Sequence, residues 1–444
     1  MELTIEKLVY GGDGLARLPA DASGSGKAAF LPFVLTGERV EAELVESKPG
    51  FARARLERVL EPSARRVEPR CPYFQRCGGC HYQHADYEHQ LEIKSAVLRE
   101  NLRRLARLEW EGPIHVHPSP PWHYRNRTRM QVRAAPEFAL GYFRAGSHEL
   151  LPVEECPISS PLINRAIAAL WILGREAKLP ATSREVEFFA DAKDQRLLVE
   201  LHLDLGREPR TTGKPTGVWE KLWKELSAAL PECAGMVLFA FQRNPGDVRE
   251  PALLGHLGEP SLTYRTGGRD FRVSPGSFFQ TNRHLTDELA ALVSASGGET
   301  APRGGMSLDL YAGVGLFAAN LAGRFESVVA VESAAAAARD LRHNAPRNLR
   351  VVESTTEDFL ANTRFDSPPG LAVLDPPRAG IGERVARALT ALAAPRLTYV
   401  SCDPATLARD LRLLTEGGYH VEQVDLVDLF PQTFHIESVV RLAR

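Results

Sequence analysis

From about residue 280 to its end, the sequence alternates short apolar segments with amphipathic ones, which constrains the fold more than any other feature. The apolar segments fall at 307–311, 327–331, 349–352, 371–375 and 397–401, with a last one at 435–442. Short apolar strands separated by helices are typical of a parallel sheet that is covered on both faces. The C-terminal part therefore predicts a doubly wound, Rossmann-like α/β fold.

The first of these strands runs into a turn of small residues. Ala312-Gly313-Val314-Gly315 follows the strand, and Glu332 ends the next strand, 19 residues after Gly313. A turn of this kind lets a nucleoside approach the backbone, and an acid at the next strand tip accepts its ribose hydroxyls. Because no third glycine is present for a pyrophosphate, the pattern favours S-adenosylmethionine over NAD.

Cys402 stands between the strand at 397–401 and Asp403-Pro404. Most cysteines in such a context are buried and inert. However, Glu332, Asp375 and Glu437 also lie at strand tips, although each could merely cap a helix or form a surface ion pair. Because strand tips meet at one edge of a sheet, we expect these acids to converge with Cys402.

A thiol and carboxylates beside a methyl donor suit the methylation of uracil at C5. This carbon is a poor nucleophile, and a thiolate that adds to C6 makes it part of a reactive enolate. The C5 proton must then leave to a base. Cys402 suits the first role and Glu437 the second, because a base in the loop before the last strand is accessible to a substrate.

Three of the six cysteines fall within ten residues of one another. Cys71, Cys77 and Cys80 have the spacing C-x5-C-x2-C, and Cys156 is the best candidate for a fourth ligand. Clustering of this kind favours a metal site over disulfides in a cytosolic chain. Zinc is one option, but the five-residue spacing does not suit paired CxxC knuckles and favours an iron–sulfur cluster.

The N-terminal segment, 1–58, alternates polar and apolar residues between glycine turns, which predicts a small β-barrel. A formal net charge of -2 excludes a globally basic nucleic-acid binder, so any RNA-binding surface must be local. We expect a cytoplasmic protein without membrane contact, since neither a signal-peptide pattern nor a membrane-spanning apolar run is present.

Arg125, Arg127, Arg129 and Arg133 share parity, so in a strand they would line one face. Four guanidinium groups on one face repel each other unless they meet phosphate or carboxylate. The pattern favours RNA contacts by Arg125, Arg127 and Arg129 over a solvated strand. Residues 137–270 indicate an α+β region that carries no catalytic constellation.

Five motifs resemble those of the RNA 5-methyluridine methyltransferases. They are Phe278-Phe279-Gln280-Thr281-Asn282, the segment 309–315, Asp375-Pro376-Pro377-Arg378, the segment 401–410 and His435-Ile436-Glu437-Ser438. The chain is most similar to the bacterial 23S ribosomal RNA branch, which carries a TRAM barrel and a [4Fe-4S] cluster. The resemblance covers nearly the whole chain, with 137–270 matching only loosely.

The resemblance implies roles for individual residues. Cys402 would be the nucleophile and Glu437 the base, while Phe278 would stack on the flipped uracil. The residues around S-adenosylmethionine or the target base would be Gln280, Tyr311, Glu332 and Asp375. The cluster ligands would be Cys71, Cys77, Cys80 and Cys156.

The predicted organisation is a multidomain monomer that acts on 23S ribosomal RNA. It has a TRAM-like or OB-like β-barrel at 1–58, an iron–sulfur segment at 59–95, a central α+β RNA-binding domain at 96–272 that supplies Cys156, and a methyltransferase domain at 273–444.

Four alternatives are distinguishable from this hypothesis. A transfer-RNA uracil-C5 methyltransferase would share every motif. A 5-methylcytosine enzyme would carry a cysteine after the Asp-Pro pair, where Pro377 stands here. An RNA N-methyltransferase would carry an aromatic residue in place of Arg378. A non-catalytic RNA-binding or iron–sulfur sensor protein would leave Cys402 and Glu437 without a role.

Overall fold

The computed structural model describes residues 1–19, 26–205, 217–241, 252–295 and 304–444. Within these ranges the strands form two large sheets, a smaller N-terminal sheet and one hairpin.

The N-terminal sheet has six strands in the order β1-β5-β6-β4-β3-β2. These are β1 (Glu2–Thr4), β2 (Lys7–Leu8), β3 (Asp13–Arg17), β4 (Ala28–Pro32), β5 (Arg39–Ser47) and β6 (Phe51–Glu61). Alternate residues such as Leu31 and Val40 are fully buried, as the period-2 pattern predicts. On the outer side, β5 and β6 are joined by ion pairs, including Arg58 with Glu41 at 3.1 Å.

The central sheet has seven strands in the order β10-β9-β8-β11-β12-β13-β14. The elements of this region are α1 (Tyr87–Arg104), β7 (Ile114–His117), β8 (Arg127–Arg133), β9 (Ala139–Phe143), β10 (Leu150–Pro152), α2 (Pro161–Arg175), β11 (Ser183–Ala190), β12 (Leu197–Leu203), α3 (Val218–Ala229), β13 (Cys233–Ala240) and β14 (Ala252–Gly258). Helix α2 begins where Ser160 accepts a hydrogen bond from the Ile163 amide and Pro161 occupies the first turn. The mixture of strands and helices agrees with the α+β prediction.

The C-terminal sheet has eight strands in the order β19-β18-β17-β20-β21-β23-β22-β7. A hairpin of β15 (Leu262–Thr266) and β16 (Arg269–Val273) precedes it, followed by α4 (Thr286–Ser294), β17 (Met306–Leu310), α5 (Leu316–Leu321), β18 (Ser327–Glu332), α6 (Ala335–Asn344), β19 (Leu349–Glu353), α7 (Thr356–Asn362), β20 (Leu371–Leu374), α8 (Gly382–Leu392), β21 (Arg396–Ser401), α9 (Pro404–Glu416), β22 (His420–Val427) and β23 (Glu437–Ala443). Strands β17 to β21 are parallel, as the alternating pattern predicts, and β23 inserts antiparallel between β21 and β22.

The strand order reverses between β17 and β20. The chain winds outward from β17 through β18 to β19, then returns to the other side of β17 as β20 and β21. Loops that leave a sheet in opposite directions open a crevice at the carboxyl ends of the strands. In this fold the crevice lies between the turn after β17 and Asp375, whose amide donates to the Leu310 carbonyl at 3.3 Å.

The eighth strand differs from the predicted division of the chain. β7 lies within the segment assigned to a separate central domain, 96–272, yet it pairs in parallel with β22. Helix α1 also joins this side, because its apolar stripe, including Val97 and Leu98, packs into the core of the C-terminal sheet. A four-residue strand carries no sequence signal for the sheet that it will join, and the domain boundaries remain a prediction.

None of the helices in the described ranges combines the length and the apolar character needed to cross a membrane.

Candidate active site

The antiparallel pairing of β21 with β23 places Cys402 next to Glu437. Ser401 pairs with Ser438 at the end of the ladder, and the Ser438 hydroxyl donates to the Ser401 carbonyl at 3.2 Å. Cys402 and Glu437 are the next residues of the two chains beyond this last pair, and they lie close enough for the Glu437 carboxylate to raise the pKa of Cys402. The predicted thiol and carboxylate therefore lie at one tip of the sheet, with Glu437 as the first residue of its strand.

Cys402 is half-buried between the end of a strand and the start of a helix. Asp403 caps α9 by accepting hydrogen bonds from the amides of Ala405 at 3.0 Å and Thr406 at 2.9 Å. Pro404 occupies the first turn of that helix, where its missing N–H costs nothing. This local sequence ends the strand abruptly and leaves the thiol at the sheet edge.

The charges around Cys402 have opposite effects on the pKa of its thiol. Burial raises the pKa of the Cys402 thiol to about 11, and the carboxylates of Glu437 and Asp375 add to this effect. The nearby Arg378 guanidinium acts in the opposite direction and lowers the pKa of Cys402. Arg378 is thus the cation that favours the thiolate.

Two carboxyl groups beside the thiol hold protons more firmly than usual. Burial raises the pKa of Asp375 to about 7. Burial and the nearby Asp375 raise the pKa of Glu437 well above its ordinary value, while Arg378 acts in the opposite direction. A carboxyl group whose pKa approaches neutrality can exchange a proton with a substrate.

The turn after β17 forms a backbone cradle. Tyr311, Gly313 and Gly315 all have left-handed φ angles, of 67°, 55° and 96°. The Glu332 carboxylate holds this turn by accepting from the amides of Gly313 and Ala334, each at 2.7 Å. A side chain at Gly313 would meet no described atom within 4 Å, so the space above it is open to a ligand.

Asp309 lies inside β17 under this cradle and is fully buried. Within the described part of the chain neither carboxylate oxygen has a well-formed hydrogen bond, although the Ala318 amide partly stabilises the charge. Burial, then the charges of Asp375 and Glu332, raise the pKa of Asp309 well above its ordinary value. Acids gathered without a balancing cation suit a cationic ligand, and S-adenosylmethionine carries a sulfonium and an ammonium group. The cradle and its acids therefore fit this methyl donor.

Phe278 extends from a segment that is anchored to α6. Its side chain is 63% exposed, whereas Phe279 is buried against Tyr264 with ring centroids 4.6 Å apart. The Ser277 hydroxyl donates to Asp340 at 2.8 Å, which anchors the backbone before Phe278. An exposed aromatic ring on an anchored segment is available to stack on a base. Gln280, two residues later, is buried.

The arginines of β8 meet carboxylates within the protein. Arg127 bonds to Glu187 and lies 3.3 Å from Glu200, and Arg129 donates to Glu187 at 2.7 Å. The repulsion that suggested phosphate is therefore relieved by the acids of β11 and β12. Arg125 precedes the strand and does not share their partners, so the RNA contacts of these three arginines stay a prediction.

Arg125 instead lines a cavity of about 290 Å³ with the clustered cysteines. The cysteines in its wall are Cys71, Cys77, Cys80 and Cys156. Burial raises the pKa of Cys77 to about 11 and raises the pKa of Cys80 still further, so thiolates here require a compensating positive charge. In the ranges that the structure describes, no three His, Cys, Asp or Glu side chains converge as they would on a single metal ion.

The cysteines nevertheless fit a polynuclear group. Zinc would draw four sulfurs to about 2.3 Å from one point. Here the four cysteines line, with twelve other residues, a cavity of about 290 Å³, which is large enough for several atoms. The donor set and the cavity therefore suit an iron–sulfur cluster, whose presence remains a prediction.

The sequence predicted no role for two residues of this site. Asp309 is an acid within an apolar strand, and such a position signals a functional carboxylate because unpaired acids are rarely buried. Tyr10 is 392 residues from Cys402, yet its hydroxyl lies 3.5 Å from the Cys402 carbonyl oxygen. No local pattern reveals such a contact.

Comparison with known proteins supports the same chemistry. A family model described as tRNA (Uracil-5-)-methyltransferase matches residues 262–444, and the TRAM domain model matches residues 1–56. An uncharacterized RNA methyltransferase of Streptomyces avermitilis is 34% identical, over 99% of this chain and 97% of its own. One of Aquifex aeolicus is 32% identical, over 100% of this chain and 98% of its own.

A solved structure has a similar fold over its full length. It is the crystal structure of Pyrococcus abyssi tRNA (uracil-54, C5)-methyltransferase in complex with S-adenosyl-L-homocysteine. The TM-score is 0.75 with 24% sequence identity, and 100% of each chain is covered.

We expect alkylation of Cys402 by iodoacetamide to accelerate as the pH rises towards 11, because its raised pKa keeps the thiol neutral at pH 7 and only the thiolate reacts. Arg378→Ala removes the charge that lowers this pKa and should move the profile to higher pH. Glu437→Gln removes a charge that raises it and should move the profile to lower pH. Mass spectrometry of the peptide that contains Cys402 measures both.

Arg396→Ala is the matched control for this experiment. Arg396 lies at the other end of β21 and pairs with Glu422 at 3.1 Å, so its removal should leave the profile unchanged. Shifts of Arg378→Ala and Glu437→Gln in the same direction would contradict the assigned electrostatics.

Proposed function

Because this chain belongs to the S-adenosylmethionine-dependent RNA (uracil-5-)-methyltransferases, we propose that it methylates C5 of a specific uridine in 23S ribosomal RNA. The observation that carries the catalytic assignment is the register of β21 and β23, which sets Cys402 opposite Glu437. This pair lies at the same sheet edge as the glycine cradle and its acids.

Cys402 acts as the nucleophile in this proposal. Its thiolate adds to C6 of the uracil, which forms a C–S bond and moves electron density to C5 and O4 as an enolate. Arg378 supports the step, since its positive charge lowers the pKa of Cys402. S-adenosylmethionine, when bound, supplies the methyl group that C5 accepts.

Glu437 acts as the base after methylation. Its carboxylate removes the C5 proton, and the electron pair of the broken C–H bond expels Cys402 from C6 by β-elimination. The raised pKa of Glu437 suits the acceptance of a proton from carbon. The product is 5-methyluridine, and the thiolate is regenerated.

The methyl donor would be held by the crevice at the switch point. Glu332 would accept the ribose hydroxyls, the open face of Gly313 would admit the donor, and Asp309 and Asp375 would balance its positive charge. We assign Gln280 and Tyr311 to the same region, and the burial of Gln280 accords with a wall position.

RNA would approach from the side of Phe278. The flipped uracil would stack on this exposed ring. Arg129 has a side chain 46% exposed and is the most accessible of the predicted phosphate contacts, whereas Arg125 and Arg127 would act from partly buried positions. The segment 1–58 would bind RNA as a TRAM-like barrel, and the central region would contribute further contacts.

The iron–sulfur segment would hold a [4Fe-4S] cluster. Its ligands would be Cys71, Cys77 and Cys80 from one segment and Cys156 from the central region. The support is the shared cavity of about 290 Å³ that these cysteines line. Such a cluster would tie the segment 59–95 to the central sheet.

Transfer RNA is the second candidate substrate. It is favoured by the fold similarity to an archaeal tRNA (uracil-54, C5)-methyltransferase, at a TM-score of 0.75. The ribosomal target is favoured by the TRAM segment together with four cysteines that line one cavity, because this combination resembles the 23S ribosomal RNA branch of the family. Both substrates use the same reaction and the same catalytic pair.

We expect Cys402→Ala to abolish methyl transfer while it leaves RNA affinity intact, since the C–S bond can no longer form. Glu437→Gln should accumulate a covalent protein–RNA adduct, because the C5 proton stays in place and elimination is blocked. Transfer of radioactive methyl groups measures the first result, and a denaturing gel measures the second. Turnover by Cys402→Ala would contradict the mechanism.

Mapping of 5-methyluridine in a deletion strain decides the substrate. We expect one uridine of 23S ribosomal RNA to lose its methyl group, while transfer RNA stays fully modified. Complementation with the wild-type chain should restore the signal, and Cys402→Ala serves as the matched negative control. Loss of the methyl group from transfer RNA alone would support the second candidate instead.

An anaerobically purified sample should contain about four iron atoms per chain and absorb visible light. Substitution of Cys80→Ser should lower the iron content, while Cys233→Ser should not, because Cys233 is buried in β13 away from the cavity. Metal analysis by mass spectrometry measures both variants. A colourless sample with one zinc ion per chain would overturn the cluster assignment.

A further inference from the structure

The turn between β2 and β3 extends from the N-terminal sheet to the proposed nucleophile. The Tyr10 hydroxyl lies 3.5 Å from the Cys402 carbonyl oxygen, and it is close enough to the Asp403 carboxylate for that charge to raise the pKa of Tyr10. The Tyr10 ring packs edge-on against Phe434, with centroids 5.5 Å apart. Phe434 lies three residues before Glu437, so this one side chain contacts both segments that carry the proposed catalytic pair.

The shape of the turn makes this approach close. Gly11 and Gly12 have left-handed φ angles of 106° and 93°, and the Val9 amide closes the turn on the Asp13 carbonyl at 2.9 Å. A Cβ atom at Gly12 would lie 3.1 Å from the Cβ of His81 and 3.5 Å from that of Phe434. Gly12 therefore lets the backbone pass close to His81 and Phe434, and both glycines permit the left-handed φ angles that the turn requires.

Cys402 occupies a position that needs an external anchor. It follows the last residue of β21 and precedes α9, so it lies outside both regular elements. Asp403 is committed to capping α9 through Ala405 and Thr406. A donor that contacts the Cys402 carbonyl limits rotation of the peptide between Cys402 and Asp403, and this rotation would move the thiol.

We propose that Tyr10 is a positioning residue for methyl transfer, whose hydroxyl fixes the Cys402–Asp403 peptide and whose ring fixes Phe434 ahead of Glu437. This inference rests on the proposed function, because it takes Cys402 as the nucleophile. Tyr10 makes no bond to the substrate in this role. It aligns the sulfur with C6 of the uracil and holds in place the loop that precedes Glu437.

The protonation state of Tyr10 suits a donor. Burial and the Asp403 carboxylate raise the pKa of Tyr10, so the phenol keeps its proton throughout the neutral range. The N-terminal sheet has a separate core that includes Leu31 and Val40. Loss of the hydroxyl alone should therefore leave the fold of that sheet intact.

The test is the rate of covalent adduct formation by the full chain carrying Glu437→Gln, with and without Tyr10→Phe. The probe is an unmodified transcript of the RNA that loses 5-methyluridine in the deletion strain, with saturating S-adenosylmethionine. One neutral hydrogen bond corresponds to a change of about threefold to tenfold in rate, and we expect a loss of this size. The affinities for RNA and methyl donor and the unfolding temperature should not change.

Tyr419→Phe is the matched control. The Tyr419 hydroxyl donates to the Ala394 carbonyl at 2.8 Å, in a buried contact away from Cys402. It should form the adduct at the unsubstituted rate. Tyr10→Leu, which also removes the ring, should slow the adduct further and increase amide hydrogen exchange at residues 433–436.

The outcomes distinguish a failure of the positioning role of Tyr10 from a failure of the proposed function. An unchanged adduct rate in Tyr10→Phe, with Cys402→Ala inactive, overturns the positioning role alone. A fall in rate that is matched by a fall in RNA affinity or unfolding temperature also overturns it, since the role would then be structural. Turnover by Cys402→Ala would instead overturn the proposed function.

Discussion

The pairing of β21 with the antiparallel strand β23 is the interaction on which the active site depends. A parallel sheet alone would bring only the ends of its strands to this edge. Because β23 runs the other way, its first residue, Glu437, meets the residue that follows β21, Cys402. A slip of one residue would turn Glu437 to the opposite face. The backbone ladder and the hydrogen bond from Ser438 to Ser401 therefore determine which side chains meet at the active site.

The loop before β23 is held mainly from outside the C-terminal segment. Lys94 of α1 pairs with Asp428 at 2.6 Å, and both side chains are almost wholly buried. The amides of His81 and Tyr82 donate to the Gln432 carbonyl at 2.8 and 3.0 Å. Removal of one partner from a buried ion pair leaves an uncompensated charge, which typically costs about 3–5 kcal/mol. The catalytic loop is thus linked to α1 and to the cysteine-rich segment, and the C-terminal fold by itself lacks these supports.

The alternating pattern of the C-terminal half was enough to predict its parallel strands, the glycine turn and the acid of Glu332, because each is a local signal. The sequence predicted only those neighbours of Cys402 that lie at strand tips, because these tips meet at one edge of the sheet. Contacts between distant segments leave no local signal in the sequence. The contact of Tyr10 with Cys402 and the pairing of β7 with β22 both depend on tertiary packing. For Arg127, the sequence indicated a charge that needs a partner, and the structure provides a carboxylate of β11, while the phosphate contact stays a prediction.

The same crowding of acids explains why the site suits a positively charged methyl donor. Asp309, Asp375 and Glu437 all have a raised pKa, because burial and their neighbours penalise each negative charge. Glu437 and Asp375 also raise the pKa of Cys402, and Arg378 opposes them. A bound cation would relieve all of these groups together, and by the same electrostatics it would lower the pKa of the thiol. The carboxylates that suppress the thiolate in the free chain would thus hold the cation whose positive charge favours it.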